Sequence, residues 1–413
     1  MKSFINARYK VFRYASVQML SKSLTLLSTY IIAMHATNEV FGYISLIQSS
    51  LVVAITFLSF NLSSGVVRYF YEKNTLKIFS HIKPIITFLF FLSIFIFIFL
   101  FIFLENSSFF WFSLLPIIGY INGLLLIVSM LSRANNNLYI YMLAELTRPF
   151  FLIVVAIAYI YMDFDIVSIF LFALLLSCLL SFFLCILKYD SLINKNIEEE
   201  SSVYFSTKII IIYTAPLFFV QIMSLVNNVS DKYILQHYMG VEEVGLYGKA
   251  YLIGSSLGLL LDSLMLLWTP FVIKNRTKLI NVFSSRLILC SVGVCIFSLI
   301  VLCIAYISFY FKLEFKFISN QMIVISLIIV SAFISRIGYQ ILTPLINAYD
   351  KTTWVAKISF ISMLLGILLN FLLIPVVGGY GAAIATFISF VTYSIMAIFI
   401  FLLLRKSLVL SEG

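Results

Sequence analysis

Charge is scarce in this chain. Only 11% of its 413 residues are Asp, Glu, Lys or Arg, while 62% are hydrophobic and the mean hydropathy is +1.11. A soluble protein of this size could not hide so much apolar surface, so the soluble classes are excluded and a polytopic membrane protein remains. Cysteine is equally thin: Cys178, Cys185, Cys290, Cys295 and Cys303 all sit inside apolar runs, without CxxC or Cys/His spacing. That excludes a disulfide framework and a zinc site. The three histidines are scattered. No GxxxxGK[ST] or HExxH occurs, and no loop is long enough to build a glycosyl-transfer site, so neither ATP hydrolysis nor an enzyme is expected. The pair Asp163/Asp165 falls in a very short loop, where solvation accounts for it.

What the chain does have is apolar runs of bilayer length. About 20 apolar residues cross a hydrocarbon core. On that ruler there are twelve spans, near 15–34, 43–66, 84–104, 109–131, 146–162, 166–187, 209–231, 250–272, 288–310, 320–344, 356–375 and 380–404. The segment 188–208, with Glu198-Glu199-Glu200, is the longest loop and divides the chain into an N-lobe, 1–200, and a C-lobe, 201–413, of six spans each. The N-terminus carries Lys2, Arg8, Lys10 and Arg13 but no small-residue cleavage site, so no signal peptide is expected.

Basic residues outnumber acidic ones 27 to 17, and their placement is topological rather than a nucleic-acid footprint. With both termini cytoplasmic, 21 of the 27 lie on the inside and four outside, namely Lys232, Lys249, Lys312 and Lys316. The positive-inside rule therefore predicts cytoplasmic N- and C-termini. The remaining two, Lys22 and Arg336, fall within spans.

A short polar stretch, Asp231 to Tyr251, lies between spans 7 and 8 and echoes Asn38–Tyr43 between spans 1 and 2. At an offset of 204 positions Glu39, Val40 and Tyr43 fall on Glu243, Val244 and Tyr247. The pattern reads as one six-span unit written twice, and both stretches read as outer turns. The third, sixth and ninth spans are almost purely apolar and are expected to face lipid.

Other spans carry polar stripes at helical spacing. Span 1 aligns Gln18, Lys22, Thr25 and Thr29; span 2 aligns Ser45, Ser49, Thr56, Ser59 and Ser63. Span 7 aligns Thr214, Gln221, Ser224, Asn228 and Asp231, with Pro216 available to bend it. Span 8 aligns Tyr251, Ser255, Gly258, Asp262 and Thr269, and span 10 aligns Arg336, Gln340, Thr343 and Asn347. Lipid cannot satisfy such residues, so they face other helices or water, either as packing glue or as a cavity lining. Lys22 and Arg336, with Arg68 at the inner end of span 2, suit an anionic headgroup, above all a pyrophosphate. Snorkelling to the headgroups is the structural alternative for these long side chains. Asp262, in mid-span, suits an ion pair, a sugar hydroxyl, or a coupling proton or sodium ion. At the repeat offset Asp262 falls on Leu58, and Lys22 falls on Val226, so the halves differ in charge.

Two stretches carry a family resemblance. Leu369-Asn370-Phe371-Leu372-Leu373-Ile374-Pro375, followed by Gly378-Gly379-Tyr380-Gly381-Ala382-Ala383-Ile384-Ala385-Thr386, resembles the "LN…LIP…G…GAA.AT" run of polysaccharide exporters. Asp231-Lys232, Gly240, Val244-Gly245, Tyr247 and Ala250 resemble their "D+…G…VG.Y..A" hinge. Read alone, Pro375 ends a helix, the glycines permit a tight turn, and Gly-Ala-Ala lets the next helix pack closely. With twelve spans, the chain is similar to the Wzx-type O-antigen/polysaccharide repeat-unit flippases of the multidrug/oligosaccharidyl-lipid/polysaccharide (MOP) superfamily.

The resemblance implies an all-α, V-shaped pair of six-helix lobes about a pseudo-two-fold axis, working by alternating access. The implied cargo is an undecaprenyl-pyrophosphate-linked oligosaccharide flipped from the cytoplasmic to the periplasmic leaflet of a bacterial inner membrane. Implied associates are membrane lipids, a polysaccharide polymerase and a chain-length regulator, with the chain itself a monomer and H+ or Na+ as coupling ion. The site residues expected on this reading are Lys22, Arg336, Arg68, Gln18, Asp262, Gln221, Asn228 and Gln340 for pyrophosphate and sugar, and Asp262 and Asp231 for ion coupling or gating. The chain ends soon after span 12, whereas peptidoglycan-precursor flippases carry extra helices, so that branch is not expected. The alternatives are an ion-coupled drug or metabolite exporter of the multidrug-extrusion branch, and an O-antigen polymerase or ligase, which would need a larger outer loop.

Overall fold

The computed structural model describes residues 2–70, 75–105, 107, 109–162, 165–188, 207–275, 279, 284–311, 319–349 and 351–412. Several sequence-derived features lie outside them: the Glu198–Glu200 run, Lys312, Lys316, Asp163 and the side chain of Arg68. Among the described residues the secondary structure is helical throughout. Helices α1 Lys2–His35, α2 Asn38–Ser59, α3 Leu62–Phe70 and α4 Thr75–Leu104 come first, then a 3-10 turn, Phe110–Leu114. Next are α5 Leu115–Ala134, α6 Leu138–Tyr161, α7 Ile166–Ile186 and α8 Thr207–Met239. The last are α9 Val241–Lys274, α10 Ser284–Phe311, α11 Asn320–Ala348, α12 Thr352–Val377 and α13 Gly379–Glu412. Ten of these elements are long and apolar enough to cross a bilayer; α1 and α9, two of the helices with polar stripes, are not among the ten. The chain is a multi-pass membrane protein.

Contacts divide it into two compact units. Unit 1 comprises Met1–His35 and Ile44–Leu225; unit 2 comprises Ala36–Tyr43 and Val226–Gly413. Helix α8 therefore begins in unit 1 and ends in unit 2, and the first turns of α2 belong to unit 2.

In unit 1, α5 lies close to α2 because glycines meet it: a Cβ on Gly119 would stand 2.6 Å from the Ala54 Cβ, and one on Gly123 3.2 Å from the Ser59 Cα. Leu62, Val66, Ile82, Ile85, Leu89, Ile127, Leu131 and Ile210 form a buried core from α3, α4, α5 and α8. The second span is not one helix. It breaks at Phe60 and Asn61, whose φ angles are 45° and 51°, in the left-handed region. Asn tolerates that region and Phe does so only at a cost. Asn61 Oδ1 accepts from Ser64 Oγ at 2.7 Å, and the Phe60 ring sits 4.7 Å from that of Phe218.

The expectation of lipid-facing third and ninth spans agrees with the structure: only 11% of the α4 window and 17% of the α10 window is buried. The sixth differs, since 44% of the α7 window is buried. Its small residues explain why. Cys178 accepts from Asn122 Nδ2 at 2.9 Å, and Ser181 Oγ donates to the Leu143 carbonyl at 3.0 Å, so this face is held by α5 and α6.

In unit 2, α11 is packed against α9, α10 and α13. Gly254 and Gly258 let α9 approach it, with a Cβ on Gly254 only 2.7 Å from Ile329 Cγ2. Small residues at such contacts give membrane helices their close packing. Gly258 thus belongs to the packing face of α9, not to a cavity stripe.

The central stretch differs from the outer turn expected there. Helix α8 continues through Asp231 and Lys232 to Met239, and the reversal is one residue, Gly240, at φ 87°. That conformation favours glycine. Likewise Glu39–Tyr43 are the first turns of α2 rather than a loop. The two echoing segments pack on each other within unit 2: a Cβ on Gly245 would fall onto the Asn38 carbonyl oxygen, and one on Gly42 onto Val241. Lys249 Nζ donates to the Ala36 carbonyl at 2.7 Å.

The C-terminal motif is read differently too. Pro375 lies inside the last turn of α12, and Gly378, at φ 57°, ends the helix. Glu243 joins the two motifs: its Oε1 accepts from Gln321 Nε2 at 2.9 Å and from the Gly379 amide, in the first turn of α13, at 3.2 Å. A carboxylate at a helix N-terminus is held by otherwise unpaired amides and the helix dipole.

Candidate functional site

Unit 1 gathers its charges where α1, α5 and α6 meet. Asn137 caps α6, its Oδ1 accepting from the Ile140 amide at 3.3 Å, and two turns on the helix presents Glu145. The half-buried Glu145 carboxylate accepts from Ser129 Oγ of α5 at 2.7 Å, and Ser21 Oγ of α1 donates to its backbone carbonyl at 2.8 Å. Lys22, Arg148 and Arg133 all act on it electrostatically. Tyr14 packs edge-on against Tyr141 at 5.0 Å beside the same cluster. Arg148 Nε is buried with no hydrogen-bond partner among the described residues. Three cations around one carboxylate leave a net positive, partly desolvated patch, where an anion is held more strongly than in water.

Along the rest of the α1 stripe the hydroxyls are used locally. Thr25 and Thr29 donate to carbonyls four residues back, at 2.9 and 2.7 Å. Ser45, Ser49, Thr56 and Ser59 of α2 and Ser63 of α3 are all buried, and Ser49 and Ser59 bond backward along α2. The span 2 stripe is packing glue, because α5 covers it through Gly123.

The α8 stripe changes unit along its length. Gln221, in unit 1, has a buried Oε1 with no partner among the described residues. Asn228, half-buried, and Asp231 belong to unit 2. Asp231 is almost completely buried and accepts from the Tyr247 hydroxyl at 2.6 Å.

The remaining predicted residues of unit 2 stand on α9 and α11. Arg336 lies 5.1 Å from the centre of the Phe390 ring, with Tyr251 and Tyr393 in its field. Lys232 lies 5.4 Å from the centre of the Tyr251 ring. A π-face attracts a cation it helps to desolvate. One turn beyond Arg336, Gln340 Nε2 donates to Asp262 Oδ1 at 3.1 Å, so two predicted residues from different helices meet. Between them, Ser394 of α13 enters the α11 ladder: its Oγ donates to the Ser335 carbonyl and accepts from the Tyr339 amide at 3.1 Å. A cavity of about 570 Å³ follows, lined by Met265 and Thr269 of α9 and Tyr339, Gln340, Thr343 and Asn347 of α11.

The structure thus brings Asp262 to Gln340, while Lys22 acts on Glu145, a residue absent from the predicted site. Glu145 is not among the expected site residues, because hydropathy places the start of the fifth span at residue 146, whereas α6 begins at Leu138. The Asn137 cap signal before an apolar run marks the true start. In the sequence Glu243 stands out only as a repeat marker, and Tyr247 as a repeat marker and a member of the hinge motif.

No protein-family model matches the chain, and no curated protein matches it. Solved structures do. An inward-facing multidrug resistance MATE family transporter of the MOP superfamily aligns with a TM-score of 0.71 at 12% identity, over 98% of this chain and 100% of that one. The lipid II flippase MurJ, in an inward closed conformation, aligns with a TM-score of 0.69 at 17% identity, over 94% of this chain and 86% of that one. An outward-facing MATE transporter aligns at 0.63 and 12% identity, over 97% and 96%. These similar structures are a flippase and transporters, and at such identities what the chain shares with them is the all-helical MOP fold.

Proposed function

We propose that the chain is a flippase that moves an undecaprenyl-pyrophosphate-linked oligosaccharide, an O-antigen repeat unit, from the cytoplasmic to the periplasmic leaflet by alternating access. The observation that carries this reading is the excess of positive charge on Glu145, where Lys22, Arg133 and Arg148 face one carboxylate within bilayer-length helices. Ionisable residues that cluster on membrane helices mark functional sites, and a group of cations suits a ligand of opposite charge. Lys22 and Arg336, with Arg68, bind the pyrophosphate, and Glu145 holds Lys22 in place until the headgroup displaces it. The likeness to a lipid II flippase supports a lipid-linked cargo. The loop charges support a cytoplasmic-membrane protein with both termini inside. Asp231, bonded to Tyr247, is the gating or coupling residue in this reading, beside the packed first turns of α2 and α9.

Lys22→Ala and Arg336→Ala in a flippase-null strain test the assignment. Surface polysaccharide should fall at least tenfold at unchanged protein level, and full polysaccharide would overturn it. The exposed Asp262 favours a second reading, an ion-coupled drug or metabolite exporter, supported by likeness to the MATE structures. Ethidium resistance conferred by the chain, lost in Asp262→Asn, would select that reading instead.

A further inference from the structure

The cavity between α9 and α11 has a chemistry of its own. Its volume, about 570 Å³, lies within the range of small-ligand pockets. Its lining offers amides and hydroxyls from Gln340, Asn347, Thr343 and Thr269, an aromatic face from Tyr339, and, among the described residues, no basic side chain. Gln340 donates to Asp262, and its Oε1 is buried without a hydrogen-bond partner among the described residues. An unmet buried acceptor calls for a donor. A pyrophosphate cannot supply one, and the Asp262 carboxylate bonded to Gln340 would repel it. A sugar ring carries several hydroxyl donors and an apolar face for the Tyr339 ring.

We infer that this cavity is a monosaccharide subsite, seating one neutral sugar of the cargo on Tyr339, Gln340, Thr343 and Asn347. The inference rests on the flippase reading and divides the labour within it: the cations of Lys22 and Arg336 take the headgroup, and the α9–α11 cavity takes a sugar. Trp268 is a built-in reporter, since it precedes Thr269 and its Nε1 donates to the Ile341 carbonyl at 3.1 Å.

The test uses the full-length protein in nanodiscs and two probes: a short polyprenyl pyrophosphate carrying one N-acetylhexosamine, and the same lipid without the sugar. The sugar-bearing lipid should bind about tenfold tighter, as one or two neutral hydrogen bonds allow. In a Trp111→Phe/Trp354→Phe protein it alone should change Trp268 emission. Asn347→Ala/Thr343→Val, and separately Ala348→Phe to fill the cavity, should reduce its affinity to that of the bare lipid while leaving the latter unchanged. Equal binding of the two lipids by the wild type, or a silent Trp268, overturns the subsite and leaves the flippase reading standing. Binding of neither lipid, with Asp262-dependent binding of tetraphenylphosphonium, overturns the flippase reading and this inference with it. The wild-type and Trp268 measurements need no cavity variant, so a variant that misfolds does not decide the matter.

Discussion

The two units manage half-buried cations in opposite ways. In unit 1, Lys22, Arg133 and Arg148 are offset by a carboxylate that serine donors hold in position. In unit 2, Arg336 is offset by the Phe390 ring and a tyrosine-rich surround, and the nearby Asp262 is bonded to an amide. A carboxylate can be exchanged for another anion, because both compete for the same charge. An aromatic face cannot be displaced that way; it accompanies the cation and leaves room for a second partner. The first arrangement suits capture and release of a headgroup, and the second suits a cation kept permanently poised.

That comparison breaks most readily at Glu145. Glu145→Ala removes the carboxylate on which Lys22, Arg133 and Arg148 act and should destabilise the protein by about 3–5 kcal/mol, read as thermal stability in detergent. Glu145→Gln keeps the Ser129 contact and should lose less. If Ala and Gln behave alike, charge compensation is not what the residue provides. A middle-sized effect belongs to Tyr247→Phe, which removes the 2.6 Å donor to Asp231 and should cost about 1.5–3 kcal/mol. An unchanged unfolding temperature would show that Asp231 does not depend on it. The smallest is Phe390→Leu, which keeps an apolar volume but removes the π-face. It should cost about 0.5–2 kcal/mol and leave the expression level near wild type. A loss as large as that of Glu145→Ala would erase the distinction between the units.

Much of the fold was legible because membrane insertion is decided locally, by the length and hydropathy of each run. Ten of the twelve spans read from the sequence lie along a single long helix; the second is broken at Phe60 and Asn61, and the fourth begins in the 3-10 turn Phe110–Leu114. Less of the site was legible. The polar stripes could be written down, but a stripe of serines looks the same whether it lines a cavity or is covered by a glycine-bearing neighbour. On α2 it is covered. The Asp231–Tyr251 stretch was recognisable as a special segment from its composition, yet its polar residues lie inside helices because the whole reversal needs only Gly240.

Composition and charge by themselves determined the membrane class, the places of the long apolar runs and the predicted orientation, since each depends on the transfer of a segment into lipid. Only tertiary structure decided that the first turns of α2 join unit 2, that α8 is divided between the units, and that Glu145 stands among three cations. Those facts depend on which helix faces meet, and helices far apart in sequence set them.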